Sequence, residues 1–240
     1  MIKRVFATLF FYIFFILTFI LGSALMLVLS ASGVPRRKAA ADVSKSWATA
    51  LLRIAGIKVV VRGTENILFD GPKVLVANHQ GNFDIPMLMS VLPVSFRFLV
   101  KKELFSIPFF GWYLKSRGDI PIDRKNAARA SLTIKTLAQS LKDDDPVLIF
   151  PEGTRSQNGK VSEFKRGSIV LASASGAKLI PIGISGSFRI QKKGSIMIYP
   201  ATIYVNIGQA VEESRTEGDI GEFPRKLREK VISLIEDYQR

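Results

Sequence analysis

His79 is the only histidine among the 240 residues, so any imidazole base in this chain must be this one. It lies in VLVANHQGNFDIP, residues 74–86, where an apolar run delivers it to a polar loop and Asp84 follows five positions later. A histidine and a carboxylate make a working pair. The imidazole removes a proton near neutral pH, and the carboxylate holds its tautomer and stabilises the imidazolium. Five residues of ideal helix turn through about 500°, which places the two on different faces. They meet only across an irregular loop, and Gly81 supplies the bend. The plainer reading makes Asp84 the N-cap of a helix beginning at DIPM, with Pro86 near its first turn, and leaves His79 solvated.

Three other stretches carry residues of chemical use. GDIPIDR, residues 118–124, ends a short extended run on Arg124, a side chain suited to bidentate phosphate contact and equally common on surfaces. FPEGTRS, residues 150–156, ends a buried strand abruptly in Pro151, Glu152, Gly153, Thr154 and Arg155. Gly153 lets the backbone approach a ligand, and Glu152 orients a neighbouring arginine or shapes the loop. A simple turn is the alternative. In LIPIGISGS, residues 179–187, Gly183 to Ser187 nearly match the hydrolase nucleophile elbow, but the fifth position is serine and the one histidine precedes it. A buried strand near the site is the better reading. With no cysteine, the chain has no disulfide, thiolate metal site or cysteine nucleophile. No metal site is expected.

These residues need a scaffold. After Gly56, apolar runs at 57–63, 73–78, 95–100, 146–150, 179–185 and 195–208 read as strands, the last broken or bulged at Pro200. Helical stripes occupy 126–142, 164–175, with Gly176 at the C-cap, and 222–239, where Phe223, Leu227, Val231, Leu234, Ile235 and Tyr238 share a face. Alternating strands and helices imply an α/β layered domain with a mixed, largely parallel central sheet flanked by helices. His79 then belongs at the carboxyl edge, where open α/β sheets place ligands.

The net charge is +14, from 34 Lys plus Arg against 20 Asp plus Glu. Residues 211–240 hold six basic and eight acidic residues, so the surplus belongs to the rest of the chain, which attracts polyanions. Residues 5–34 contain no charge and would form a helix about 45 Å long, more than the ~30 Å hydrocarbon core. A cleaved signal would usually have an apolar region of only ~7–15 residues. Lys3 and Arg4 precede the run and Arg36, Arg37 and Lys38 follow it. The positive-inside rule puts both flanks on the cytoplasmic side, which a single span does not satisfy. A helix bent at Gly22 and Ser23, or one lying in a single leaflet, does. Residues 38–57 read as an amphipathic second helix, with Ala40, Val43, Trp47, Ala50, Leu51 and Ile54 at helical spacing. Phe10, Phe11, Phe14, Phe15 and Trp47 are the expected membrane-embedding side chains. The expected domains are a membrane-associated two-helix segment, 1–56, and a catalytic domain, 57–240.

Together the four stretches, in this order and strand context, resemble the 1-acylglycerol-3-phosphate acyltransferase family over roughly residues 57–210. NHQGNFD resembles its first block, GDIPIDR its second with Arg124 at the arginine position, FPEGTRS its third, and LIPIGI its fourth with Pro181 in place. Pro121 stands where the family often has phenylalanine, and Gly81-Asn82-Phe83 differs from the commoner pattern between histidine and aspartate. The resemblance implies direct acyl transfer, with His79 as base and Asp84 as its partner. It implies Arg124 and Arg155 on the acceptor phosphate, Lys101 and Lys102 as further phosphate or carrier contacts, and Glu152, Gly153 and Thr154 beside them. The implied donor is acyl-CoA or acyl carrier protein, with no cofactor. The implied acceptor is lysophosphatidic acid, met at the cytoplasmic face of an anionic inner membrane. The same chemistry on glycerol 3-phosphate, another lysophospholipid or an ornithine lipid is the alternative. A non-enzymatic basic binder is a remote one; no nucleic-acid motif is present and the basic residues are dispersed.

Overall fold

The computed structural model describes residues 2–141, 146–192, 194–211 and 222–236. The chain opens with α1 (Ile2–Ala31) and α2 (Arg36–Ile54). There follow β1 (Lys58–Arg62), β2 (Lys73–Ala77), α3 (Asp84–Val91), β3 (Arg97–Lys101), α4 (Phe110–Arg117) and β4 (Ile120–Ile122). The rest is α5 (Ala127–Ser140), β5 (Val147–Ile149), α6 (Gly167–Ser175), β6 (Lys178–Ser185), β7 (Thr202–Ile207) and α7 (Phe223–Glu236).

The strands form one sheet in the order β1-β7-β6-β2-β5-β3-β4. Every neighbouring pair is parallel except β6 and β7. The sheet is thus mixed and largely parallel, with helices packed on it, as the alternation of runs implies. β2 is its central strand and is buried at all five positions, as an unbroken Val-Leu-Val run between two sheet neighbours requires. Its carboxyl end points His79 into the crevice between the loops that follow β5 and β6.

Several boundaries differ from the sequence reading. The run 195–208 is a strand only over 202–207, because Pro200 has no N–H for the ladder and residues 195–200 stay irregular. The run GDIPIDR contributes the three-residue edge strand β4, where Pro121 is tolerated because the outer side needs no partner. The last helix is described to Glu236, so Tyr238 lies outside the described residues.

α1 does not bend at Gly22 and Ser23. Helical bonding continues through both, and a Cβ at Gly22 would lie 3.2 Å from Val43 Cγ1, so the glycine serves close approach of α2. The reversal comes at Ser32–Val34, where Gly33 takes φ +91°. Packed side chains recur along α1 at Thr8, Phe11, Phe15, Phe19 and Met26, one stripe of a 3.6-residue helix. Phe11 and Leu51 join the same apolar core as β2 and β6, so the two helices are built into the sheet's packing.

This stripe corrects the expected membrane-embedding set. Phe10 does face outward, 57% exposed. Phe11 is 5% exposed and packs on Phe83 at 5.7 Å between ring centroids. Phe14 and Phe15 are half-buried against the core. Trp47 lies between the helices, its ring on Phe15 and Phe19 and its Nε1–H donating to Thr18 Oγ1 at 3.1 Å. Successive residues are 100° apart, so Phe10, Ile13, Leu17 and Leu21 take the open face, with Leu9, Ile16 and Ile20 exposed beside them, while Phe11, Phe15 and Phe19 take the packed one. α2 is rotated likewise: Ala40, Ser44, Ala48 and Leu51 are buried, while Ile54 is 42% exposed.

Candidate active site

The site is assembled at the carboxyl edge around β2. Asn78 fixes the direction in which the chain leaves the strand. Its side chain accepts from Ile184 N–H at 2.7 Å and donates to Ile184 O at 2.9 Å, imitating one more step of the β2–β6 ladder. His79 follows immediately, and the loop then curls back. Asp84 Oδ2 accepts backbone N–H groups of Gln80 at 2.7 Å and Gly81 at 2.9 Å, and lies 2.7 Å from His79 Nδ1. An oxygen already accepting two amides is an acceptor, so Nδ1 carries the proton and Nε2 is left with its lone pair. Nε2 has no hydrogen-bond partner among the described residues. Asp84 is the first helical residue of α3 and makes no N-cap bond. The carboxylate that a capping reading would aim forward along the helix instead reaches back over the loop.

The third motif braces this loop from the β5 side. Glu152 Oε1 accepts the backbone N–H of His79 at 2.7 Å and Oε2 accepts that of Ser162 at 2.8 Å. Ser156 N–H donates to His79 O at 2.8 Å. Burial pushes the Glu152 carboxyl above the usual carboxylate range, and the two amide donors only partly counter it. The Glu152→Gln variant keeps one acceptor but sets an NH₂ against an N–H donor. It is expected to cost about 1–3 kcal/mol, or ~2–12 °C in Tm for a chain of this size. An unchanged melt by differential scanning fluorimetry would show that the loop does not depend on the carboxylate.

His79 stacks on Phe150 at 4.1 Å between centroids and 17° between planes. Phe150 also lines a cavity of about 490 Å³, within the ~300–1,000 Å³ of ordinary ligand sites. Its walls are apolar, with Leu99, Ile122, Ile134, Ile149 and Val170. Arg124, Lys165 and Arg166 lie at its end nearest the carboxyl edge. Arg124 crosses from the loop after β4 to donate to Gly153 O at 2.7 Å and to Leu99 O at 3.4 Å. Gly153 takes φ +73°, and a Cβ there would come 3.0 Å from Lys165 Nζ. Thr154 is exposed, and Arg155, half-buried one residue before Ser156, makes no hydrogen bond or ion pair among the described residues.

The expected lysines are otherwise engaged. Lys101 is exposed and 3.8 Å from Glu103. Lys102 Nζ donates to Asp123 Oδ2 at 2.5 Å, tying the segment after β3 to that after β4 and holding the Asp123 carboxyl below its ordinary range. Periodicity alone starts this helix at 164 and puts Lys165 and Arg166 inside it, so neither stands out as a site residue. α6 begins at Gly167. Cations before a helix N-terminus oppose its macrodipole. That mismatch, in FKRGS, was the available signal. Ser168 Oγ, 1% exposed at the same end and lining the cavity, has no hydrogen-bond partner among the described residues.

The sequence model of the Acyltransferase family matches residues 58–185, more than half of the chain and every block of this site. The chain belongs to the acyltransferase family. Among its relatives, 1-acyl-sn-glycerol-3-phosphate acyltransferase of Pseudomonas aeruginosa is 37% identical over 188 residues, 76% of this chain and 67% of that protein. The chloroplastic enzyme LPAT1 of Arabidopsis thaliana is 33% identical over 192 residues, 76% of this chain and 53% of its own length. This family member therefore spans about half the length of the plant relative. The crystal structure of the 1-acyl-sn-glycerophosphate acyltransferase PlsC from Thermotoga maritima superposes with a TM-score of 0.83 at 27% identity, covering 99% of this chain and 97% of that one. The likeness to that family structure includes α1 and α2 as well as the sheet.

Proposed function

We propose that this chain transfers a fatty acyl group from acyl-CoA or acyl carrier protein to the 2-hydroxyl of lysophosphatidic acid, forming phosphatidic acid at a membrane surface. The observation that carries the reading is the Nδ1–Asp84 bond, which leaves Nε2 of His79 free as a base beside an apolar cavity with cations at one end. Nε2 takes the proton of the 2-hydroxyl, and the oxygen attacks the thioester carbonyl. The tetrahedral intermediate collapses with cleavage of the C–S bond, and the thiolate leaves with the proton from Nε2. The products are the ester and a free thiol. The hydroxyl is itself the nucleophile, so no acyl-enzyme is required.

An apolar cavity with Arg124, Lys165 and Arg166 at its catalytic end suits a substrate with a long alkyl chain and a phosphate. Arg155, which has no partner among the described residues and precedes the Ser156 whose N–H bonds His79 O, suits the same phosphate. Arg155→Ala is expected to raise the apparent KM for lysophosphatidic acid about 10- to 100-fold, from ~1.5–3 kcal/mol for a hydrogen bond to a charged group, with a smaller change in kcat. An unchanged KM would remove Arg155 from the phosphate site. The acceptor itself is tested with a labelled acyl donor offered in turn with lysophosphatidic acid, glycerol 3-phosphate, lysophosphatidylcholine and an ornithine lipid. Acylation of another acceptor in preference to lysophosphatidic acid would overturn this assignment and keep the chemistry.

α1 is apolar and long enough to cross a bilayer by length and composition. Protein covers one side of it from Arg4, over Tyr199, to Met26, beside Ala40. The open face therefore serves best as a helix lying in one leaflet, with Lys3, Arg4 and Arg36–Lys38 on the cytoplasmic side.

A further inference from the structure

A second apolar protrusion adjoins α1. Ile196, in the irregular segment before β7, is 71% exposed. The segment is fastened to the first three turns of α1 at several points. Tyr12 Oη donates to Ile196 O at 3.0 Å, Ile198 N–H donates to Thr8 Oγ1 at 3.3 Å, and Gln191 Nε2 donates to Tyr12 Oη at 3.0 Å. Arg4 lies over the Tyr199 ring, 5.4 Å from its centroid. The adjacent Ser195 lines a groove of about 1040 Å³, together with Arg189, Lys192, Tyr199 and Tyr204 among others. Arg4, Arg189 and Lys192 have no acidic partner among the described residues.

We propose that residues 189–192 and 194–199, with the first turn of α1, form a second membrane contact. In it Ile196 enters the bilayer beside α1, while Arg4, Arg189 and Lys192 meet the headgroups of anionic lipids. The proposal rests on the membrane reading of α1 given above. Three arguments favour a lipid surface as the occupant. Tyr12, at the border of α1's packed stripe, bonds the backbone of Ile196, so the segment is continuous with the helix's open apolar face. Unpaired cations beside exposed tyrosine are the composition of a bilayer interface, where aromatic rings sit at headgroup depth. Each cation near an anionic surface is favoured without needing a shaped pocket, which an open groove does not supply.

The contact has a consequence for the site. Gln191 Oε1 accepts from Asn82 Nδ2 at 2.9 Å, and Asn82 lies between His79 and Asp84. The lipid-facing segment is therefore two side chains from the catalytic loop, and seating it sets the depth at which that loop meets a lipid acceptor.

The chain has no cysteine, so single labels are unambiguous. Full-length Ile196→Cys and Leu17→Cys, each carrying an environment-sensitive fluorophore, are reconstituted from detergent onto phosphatidylcholine vesicles with and without phosphatidylglycerol. Both labels are expected to shift blue and to be quenched by spin-labelled acyl chains. Lipid at position 17 with water at position 196 overturns this proposal and leaves the membrane reading of α1 standing. Water at both positions overturns the two together. In the Ile196→Cys background, Arg189→Gln with Lys192→Gln is expected to weaken binding to the anionic vesicles about 5-fold per cation. Binding to neutral vesicles and acyl transfer in detergent should stay unchanged. Equal affinity of the parent and the double variant for anionic vesicles overturns the headgroup contact.

Discussion

His79→Ala is expected to lower kcat for acyl transfer by ~10²–10⁴-fold or more without unfolding the protein. With Nδ1 held by Asp84, the imidazole keeps the Nε2 lone pair for the substrate proton, and this is the chain's one histidine. Removing it does not orphan its neighbours. Asp84 Oδ2 keeps the amides of Gln80 and Gly81, and Glu152 keeps its bond to residue 79 because that bond uses the backbone N–H. The loss therefore reports chemistry rather than collapse of the loop. The check is turnover of a labelled acyl donor on detergent-purified protein, with a melting curve run alongside. Near-wild-type turnover with an unchanged melt would end the general-base mechanism.

Asp84→Asn tests the partner. The three bonds converge on Oδ2, so an asparagine carbonyl set at that position still accepts from both amides and from Nδ1–H. The tautomer is kept and the negative charge is lost. An imidazolium forms during transfer and is then stabilised only by a neutral dipole at 2.7 Å. A fall in kcat of ~10²–10⁴-fold is expected, with little change in acceptor KM. The substitution also puts an NH₂ where Oδ1 is buried without a partner, for about 1–3 kcal/mol of stability. A variant that melts a few degrees early yet turns over within tenfold of wild type would reduce Asp84 to a brace for the loop.

Much of this site was legible in the sequence because it is local. The offset of five between His79 and Asp84 excludes a shared helix face, and Gly81 lets a short loop close. Both are properties of neighbouring residues. The β-branched runs that end on Ala77 and Ile149 make strands wherever they are buried, and their ends must carry the residues that follow. The same locality explains the misreadings. Lys165 and Arg166 were placed inside a helix because periodicity extends through its first turn, whereas Arg166 takes the N-cap position and the helix begins one residue later. β4 has three residues, too few for a period, and is a strand only because β3 lies beside it.

The sequence by itself determined that this chain has one possible imidazole base, a membrane-length apolar start, and an α/β domain in which that base ends a strand. Each of these follows from composition or from spacings shorter than one element. Only the tertiary structure decided which face of α1 is left open, because that depends on partners far away in the chain, such as Phe83 under Phe11 and Thr18 under Trp47. It alone decided that Glu152 bolts the third motif to the backbone of His79, 73 positions away, and that Gln191 reaches Asn82 across 109. Spacing within an element fixes which side chains share a face. Which face is covered, and which cation remains unpaired beside a base, is fixed only when separate elements compete for the same buried space.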